Sequence, residues 1–311
     1  MNKRFMLSIL GLGVIAIASL LGFCVYKMQT FKHKLQESLN TNLVQTAQEL
    51  ALSDIELNYS TFECSGIFFI KCKSPYITFT PKGGSQELFS SKNLILSLKE
   101  IDFGSITLSA SSKLEIIDLG ELQEYATAFF PTNFELDFTI KPQNQASYTL
   151  HTALKLYAQN ADYLEEFNSL IDSKNVQEMG IFQHISSFAF LNEGLKIKDF
   201  LFSLNSKGLS DKLFEIAQSK YGKSLNKQAY SALVSFLVGA SLQNFSKKPY
   251  YPQIQEIIQG FVKVILGDAN KMEIFISPQS NTSSYPLAPQ DLEKLLNTLS
   301  SEYKLEVKLS K

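Results

Sequence analysis

The sequence predicts an α+β fold: an N-terminal transmembrane helix, then an antiparallel, meander-like sheet with a helical block and a C-terminal helix-strand unit. Three observations predict it. Phe5–Tyr26, "FMLSILGLGVIAIASLLGFCVY", contains no charged residue. From Asp54 onward, apolar and polar residues alternate with a period of two through many short segments. A later stretch, from "LSDKLFEIAQSKYG" to "YPQIQEIIQGFVKVILG", changes to helical spacing before alternation returns at the end.

The apolar segment Phe5–Tyr26 spans ~33 Å as a helix, against a bilayer core of ~30 Å. Lys3 and Arg4 precede it, so it reads as an uncleaved signal anchor. Ala16-Ile17-Ala18 resembles a signal-peptide cleavage site, but the apolar run continues past it, whereas signal-peptide cores run ~7–15 residues. Cys24 follows the bulky Phe23, which does not suit a lipoprotein site. Lys27, Lys32 and Lys34 balance Lys3 and Arg4, so flanking charge leaves the orientation nearly tied.

Beyond the anchor, Phe31, Leu35, Leu39, Leu43 and Ala47 recur every fourth residue and predict an amphipathic stalk helix over 27–50. Region 51–208 is read as antiparallel β structure. Its strands are "IELNYSTF", "PYITFTP", "NLILSLKEI", "SITLSASSKLEII", "NFELDFTIKP" and "SYTLHTALKLYA", with a turn at "PKGGSQ" and a short helix at "DLGELQEYATAFF". "SSFAFLNEGLKIKDFLFSL" reads as a hairpin turning at Asn192-Glu193-Gly194. Region 209–268 is a helical block. Ser210-Asp211 is its first start signal, "SLNKQAYSALVSFLVGASLQNF" carries an apolar face through Phe236 and Leu237, and Pro252 and Gly267 bracket its last helix. Region 269–311 is strand "KMEIFISP", helix "APQDLEKLLNTLSSEY" and strand "KLEVKLS", closing the sheet.

Composition narrows the function. The formal charge is -1, which gives no global pull toward polyanions. Arg4 is the only arginine, so the body lacks the bidentate fork that grips phosphate or carboxylate. A nucleic-acid partner is therefore not expected. Ser-x-x-Lys occurs at Ser224–Lys227 and Ser301–Lys304 without the companion motifs of a serine acyl enzyme. Glu165-Glu166 and Asp211 read as solvated helix faces. There is no nucleophile elbow, phosphate-binding loop or dinucleotide fingerprint. His33, His151 and His184 are scattered, so no metal, cofactor or catalytic set is expected.

Two short features carry more information. Cys64 and Cys72 flank an apolar run and are expected to form a disulfide. On one straight strand they would lie ~26 Å apart. A bridge needs Cα atoms within roughly 7 Å, so the chain must reverse, and Ser65-Gly66 is the turn signal. Buried free thiols are the main alternative, a metal pair the lesser one. A bridge would place the domain in an oxidising compartment. "ELNYS" at Glu56–Ser60 resembles the extended acceptor of the bacterial oligosaccharyltransferase and makes Asn58 a candidate glycosylation site beside the chance-match reading. Asn244 and Asn281 carry only the minimal pattern.

The layout resembles single-anchor envelope proteins of unknown function from epsilonproteobacteria, and its strand-rich part is distantly similar to AsmA-like proteins. The segments that carry the resemblance are Phe5–Tyr26, Asn58–Ile117 with its "C-x-G…C", and Pro286–Leu309 with "Pro-Leu-x-x-x-Asp-Leu". The resemblance implies phospholipid traffic or envelope maintenance. The resulting expectation is a bacterial inner-membrane, single-pass protein, mostly periplasmic and not an enzyme, whose partners are the membrane through Phe5–Tyr26 and a lipid or an envelope protein. Two roles compete: binding an apolar ligand on an open sheet face, or acting as a structural or assembly factor.

Overall fold

Every second side chain of a strand points to the same face, so an alternating strand must find a cover for one face. The computed structural model shows how this chain supplies it. It describes residues 28–172 and 195–311, apart from 53, 68, 85–86, 103–104, 117–122, 145–146, 244, 280–285, 288–296 and 298–299. The anchor Phe5–Tyr26, the turn at Asn192–Gly194 and most of the helix expected before the last strand lie outside the described residues.

Helix α1 occupies residues 28–51, as its four-residue spacing predicts. Met28, Phe31, Leu35, Leu39 and Leu43 pack against a core formed by Phe62, Ile70, Cys72, Leu98, Ile106, Ile140 and Leu150. Polar residues on α1 fix its position. The Phe62 N–H donates to Asn40 Oδ1 at 2.7 Å, Asn40 Nδ2 donates to the Phe62 carbonyl at 3.2 Å, and the Cys64 N–H donates to Gln36 Oε1 at 3.0 Å. The helix thereby satisfies a stretch of backbone at the sheet's edge that would otherwise seek another strand.

The strands are β1 (Ile55–Tyr59), β2 (Glu63–Ser65), β3 (Lys71–Pro81), β4 (Phe89–Asp102), β5 (Ser105–Ile116), β6 (Pro131–Asn144), β7 (Ser147–Ala158), β8 (Ala161–Asp172), β9 (Leu195–Ser206), β10 (Lys271–Pro278), β11 (Pro286–Leu287) and β12 (Tyr303–Ser310). They form one 12-stranded sheet in the order β1-β3-β4-β5-β6-β7-β8-β9-β10-β12, with β2 on β3 and β11 on β9. All pairings are antiparallel. The expected meander is what the chain builds.

An up-and-down path gives the sheet two ends. The near end holds the start of α1, the reversal at Gly66 between β2 and β3, and the C-terminal ends of β4 and β6. The far end holds the turn after Pro81, helix α2 (Gln123–Phe129) and the helical block. That block comprises α3 (Leu209–Tyr221), α4 (Lys227–Gln243) and α5 (Tyr251–Leu266), inserted between β9 and β10. Val264 of α5 and Leu213 and Ile216 of α3 join Leu204, Met272 and Ile274 in a second core. Gly260 brings α5 onto the sheet: a Cβ there would sit 2.6 Å from Met272 Sδ and 3.1 Å from Val307 Cγ1.

Several expectations need correction. Residues 161–172 form strand β8, so Glu165 and Glu166 stand on a strand and not on a helix face. Leu164, Phe167 and Ile171 happen to carry helical spacing, and pairing with β7 and β9 overrides it. Helix α3 begins at Leu209 after the left-handed Gly208, and the Leu209 N–H is capped by Ser206 Oγ at 3.1 Å, so Ser210-Asp211 lies inside the first turn. Tyr303, read as the end of a helix, opens β12. The apolar face of α4 is largely uncovered: Phe236 is 72% and Leu237 55% exposed.

Substituting Gly260→Val should force α5 away from Met272 and Val307. We expect a loss of ~1–3 kcal/mol, the usual cost of overpacking, read as a lower urea midpoint with the slope unchanged.

Candidate functional site

Register places a largely apolar face across the sheet. Leu96 opposes Ala110 and Leu98 opposes Leu108. Leu108 opposes Phe138, and Leu136 opposes Leu154. The face continues through Phe202 opposite Ile274 and Ile274 opposite Val307. Helix α1 covers its first part and α5 its last, where Phe261 and Phe202 stack with ring centroids 6.0 Å apart.

The α1 cover is not seamless. A cavity of about 110 Å³ lies between Leu35 and Leu39 of α1 and Leu98, Leu108, Ala110 and Phe138 of the sheet. Its wall is almost wholly carbon, so a water inside would find few partners. The volume is well below the ~300 Å³ at which small-molecule sites usually begin. It suits part of an apolar tail, and a larger guest requires α1 to shift.

Between the two covers, polar groups interrupt the apolar face. Glu165 stands on β8 with Leu154 of β7 on one side and Phe202 of β9 on the other. Burial pushes its carboxyl pKa up from the ordinary value. Thr152 Oγ1 and Ser169 Oγ are buried on the same face without a hydrogen-bond partner among the described residues. Nearby, burial pushes the Tyr163 phenol up to about 12, and its hydroxyl donates to the Phe129 carbonyl at 2.7 Å. From Leu136, at the cavity, Glu165 is two strand spacings away, ~10 Å. The arrangement places a carbon-lined cavity two strand spacings from one carboxyl, with Leu154 between Leu136 and Glu165.

The opposite face is a polar ladder. Thr107, Thr139, His151, Asn168 and Asp199 stand in register across β5 to β9. The Thr107 and Thr139 hydroxyls lie 3.1 Å apart, His151 Nδ1–H donates to Asn168 Oδ1 at 2.9 Å, and Asn168 Nδ2 donates to Asp199 Oδ1 at 2.6 Å. These bonds tie strands together. None of them joins His151 to a serine or cysteine among the described residues.

The residues singled out in the sequence fall as follows. Cys64 and Cys72 oppose each other on β2 and β3. Their sulfur atoms are 1.96 Å and their Cα atoms 3.9 Å apart, which is disulfide distance. The reversal falls at Gly66 with φ of 91°, where a Cβ would meet the Phe69 carbonyl oxygen at 2.1 Å. Asn58 is exposed on edge strand β1 and donates to Thr80 Oγ1 at 3.3 Å. Lys227 pairs with Asp211 at 3.1 Å. Hydrogen bonding and charge from Glu306 raise the Lys304 pKa, opposite to what a serine-activating lysine needs. Among the described residues no group of metal-type ligands gathers and no helix is long and apolar enough to cross a membrane. Thr152 and the cavity escaped the sequence reading, and Glu165 reads there as part of a solvated helix face, because only the register across three strands reveals their setting. The chain matches no protein-family model and no curated protein.

Glu165 generates a pH prediction. A carboxyl with a raised folded-state pKa keeps its proton longer in the folded than in the unfolded protein. As pH rises past about 4.5 the unfolded chain releases its proton first, so stability falls from there through the raised folded value. Glu165→Gln should remove that loss. We expect its gain in urea midpoint over the parent to be larger at pH 7 than at pH 4. An equal shift at both would mean that burial of the charge is not the cause.

Proposed function

We propose that this chain is a single-pass protein of the bacterial inner membrane, anchored by Phe5–Tyr26, whose body lies in the periplasm and binds an apolar ligand on its sheet. The observation that carries the reading is the carbon-lined cavity of about 110 Å³ between α1 and the sheet. An apolar cavity of this kind stays dry and takes apolar guests. The ligand class is an acyl chain bearing a polar group. The chain enters under Leu35 and Leu39, and the polar group lies toward Glu165 and Thr152. The resemblance to envelope proteins points the same way, toward lipid handling and not enzyme chemistry or nucleic-acid binding.

Native mass spectrometry of the detergent-extracted protein tests this. We expect co-purified lipid, and we expect Ala110→Phe, which fills the cavity, to lose it while keeping a cooperative unfolding transition. Absence of lipid in the parent would sink the reading. A second reading, a structural or assembly factor, is favoured by the exposed Phe236 and Leu237 of α4. Lipid-free protein that cross-links to an envelope partner through α4, and loses the link in Phe236→Ser, would favour it.

The compartment rests on the cysteine pair. A bridge between Cys64 and Cys72 belongs to an oxidising space such as the periplasm. Closing so small a ring adds roughly 2–3 kcal/mol before strain. Mass mapping of unreduced peptides should find Cys64 linked to Cys72. Free alkylation of both in denatured, unreduced protein would remove the main support for a periplasmic body.

A further inference from the structure

We propose that the tip of the β2–β3 hairpin is a second membrane contact: Ile67 and Phe69 dip into the interfacial layer of the bilayer that holds the anchor. The inference rests on the anchored reading above and adds a site to it.

The placement follows from hydrogen bonds already described. Asn40 of α1 lies beside Phe62 and Gln36 beside Cys64. At the other end of α1, Lys82 Nζ donates to the Ala51 carbonyl. The segment from Asp54 to Ser65 therefore runs antiparallel to α1, and its continuation leads toward Met28. From Gln36 to Met28 the helix rises ~12 Å. From Cys64 the strand runs on through Ser65 to the reversal at Gly66, ~7 Å of extended chain. The tip thus lies level with the first turns of α1. The uncharged segment Phe5–Tyr26 ends two residues before Met28. A bilayer around that segment has its interface at the height of the tip.

The chemistry of the tip fits that surface. Phe69 is 73% and Ile67 40% exposed, whereas the adjoining Ile70 is 1% exposed in the core. Ile67 and Phe69 thus face out where Ile70 faces in, and packing within the protein does not account for Phe69. Lys71 and Lys73 are exposed directly behind the tip, on the strand that leaves it. Aromatic and aliphatic side chains ahead of lysines are the usual composition of an interfacial contact, with the ammonium groups reaching anionic headgroups. The cysteine pair at disulfide distance and the left-handed Gly66 fix the tip's direction.

The chain contains no tryptophan, so a single introduced one is a clean reporter. Full-length Phe69→Trp, Ile67→Trp, Phe23→Trp and Tyr221→Trp would each be placed in nanodiscs of phosphatidylethanolamine and phosphatidylglycerol, with or without bromine at shallow acyl positions. Tyr221 is the far-end control: it is 66% exposed on α3, beside Lys220, whose Nζ lies over the α2 Tyr125 ring. The expected result is a blue-shifted emission and strong bromine quenching at positions 69 and 67, approaching that at position 23, with none at 221. Unquenched 69 and 67 beside a quenched 23 would overturn the tip contact and leave the anchor standing. An unquenched 23 together with an unquenched tip would overturn both. Quenching at 221 equal to that at 69 would mean indiscriminate contact and would also overturn the proposal.

Discussion

Most of one face of this sheet, from β4 to β12, is apolar, and water must be kept from it. No strand solves that problem alone, because alternation gives each strand an apolar side by geometry and not by choice. The chain uses two separate covers. Helix α1 lays Phe31, Leu35, Leu39 and Leu43 on the first part, and α5 with α3 lays Val264, Phe261 and Ile216 on the last. The interior of the molecule is thus divided into two cores on one face of the sheet. The features of functional interest fall where cover is thin: the cavity beneath Leu35 and Leu39, and Glu165 between the covers.

The up-and-down path also gives the molecule a polarity. Helix α1 begins at the near end, and the helical block gathers at the far end. A chain held by its first residues presents the near end to the membrane and the far end away from it. On the proposed reading, the helix that follows the anchor is also the cover of the cavity. Anchoring and ligand access are therefore mechanically one element on the proposed reading.

Much of the fold was legible because burial and period agree. In "SYTLHTALKLYA" and "KMEIFISP" the alternation is clean, and the strands β7 and β10 have the bounds it suggests. In α1 and α5 the four-residue spacing and the Pro252 and Gly267 signals are equally plain. β8 was lost because its apolar residues sit at intervals that satisfy a helix as well as a strand, and only its neighbours decide. Its loss hid Glu165, whose significance depends on standing between Leu154 and Phe202. The cysteine reversal was legible from Gly66, since only a residue without Cβ fits there. The exposure of α4 was not: an apolar stripe reads alike whether the protein covers it or a partner does.

The way α1 is attached bears on how its lid can move. Its apolar stripe meets the sheet face, while Gln36 and Asn40 hold the backbone of Phe62 and Cys64 at the sheet's edge. Those hydrogen bonds are each worth ~0.5–1.5 kcal/mol net, so breaking all of them costs a few kcal/mol. Rolling the helix about them keeps those bonds, and its cost is the apolar surface that Leu35 and Leu39 expose as they lift from the sheet. The apolar contacts at risk there are already reduced by the cavity, since its lining atoms lack partners on one side. The edge is therefore the natural hinge and the cavity side the natural opening. On the proposed reading, a guest tail that fills the void would supply the missing contacts and so offset the cost of the lift.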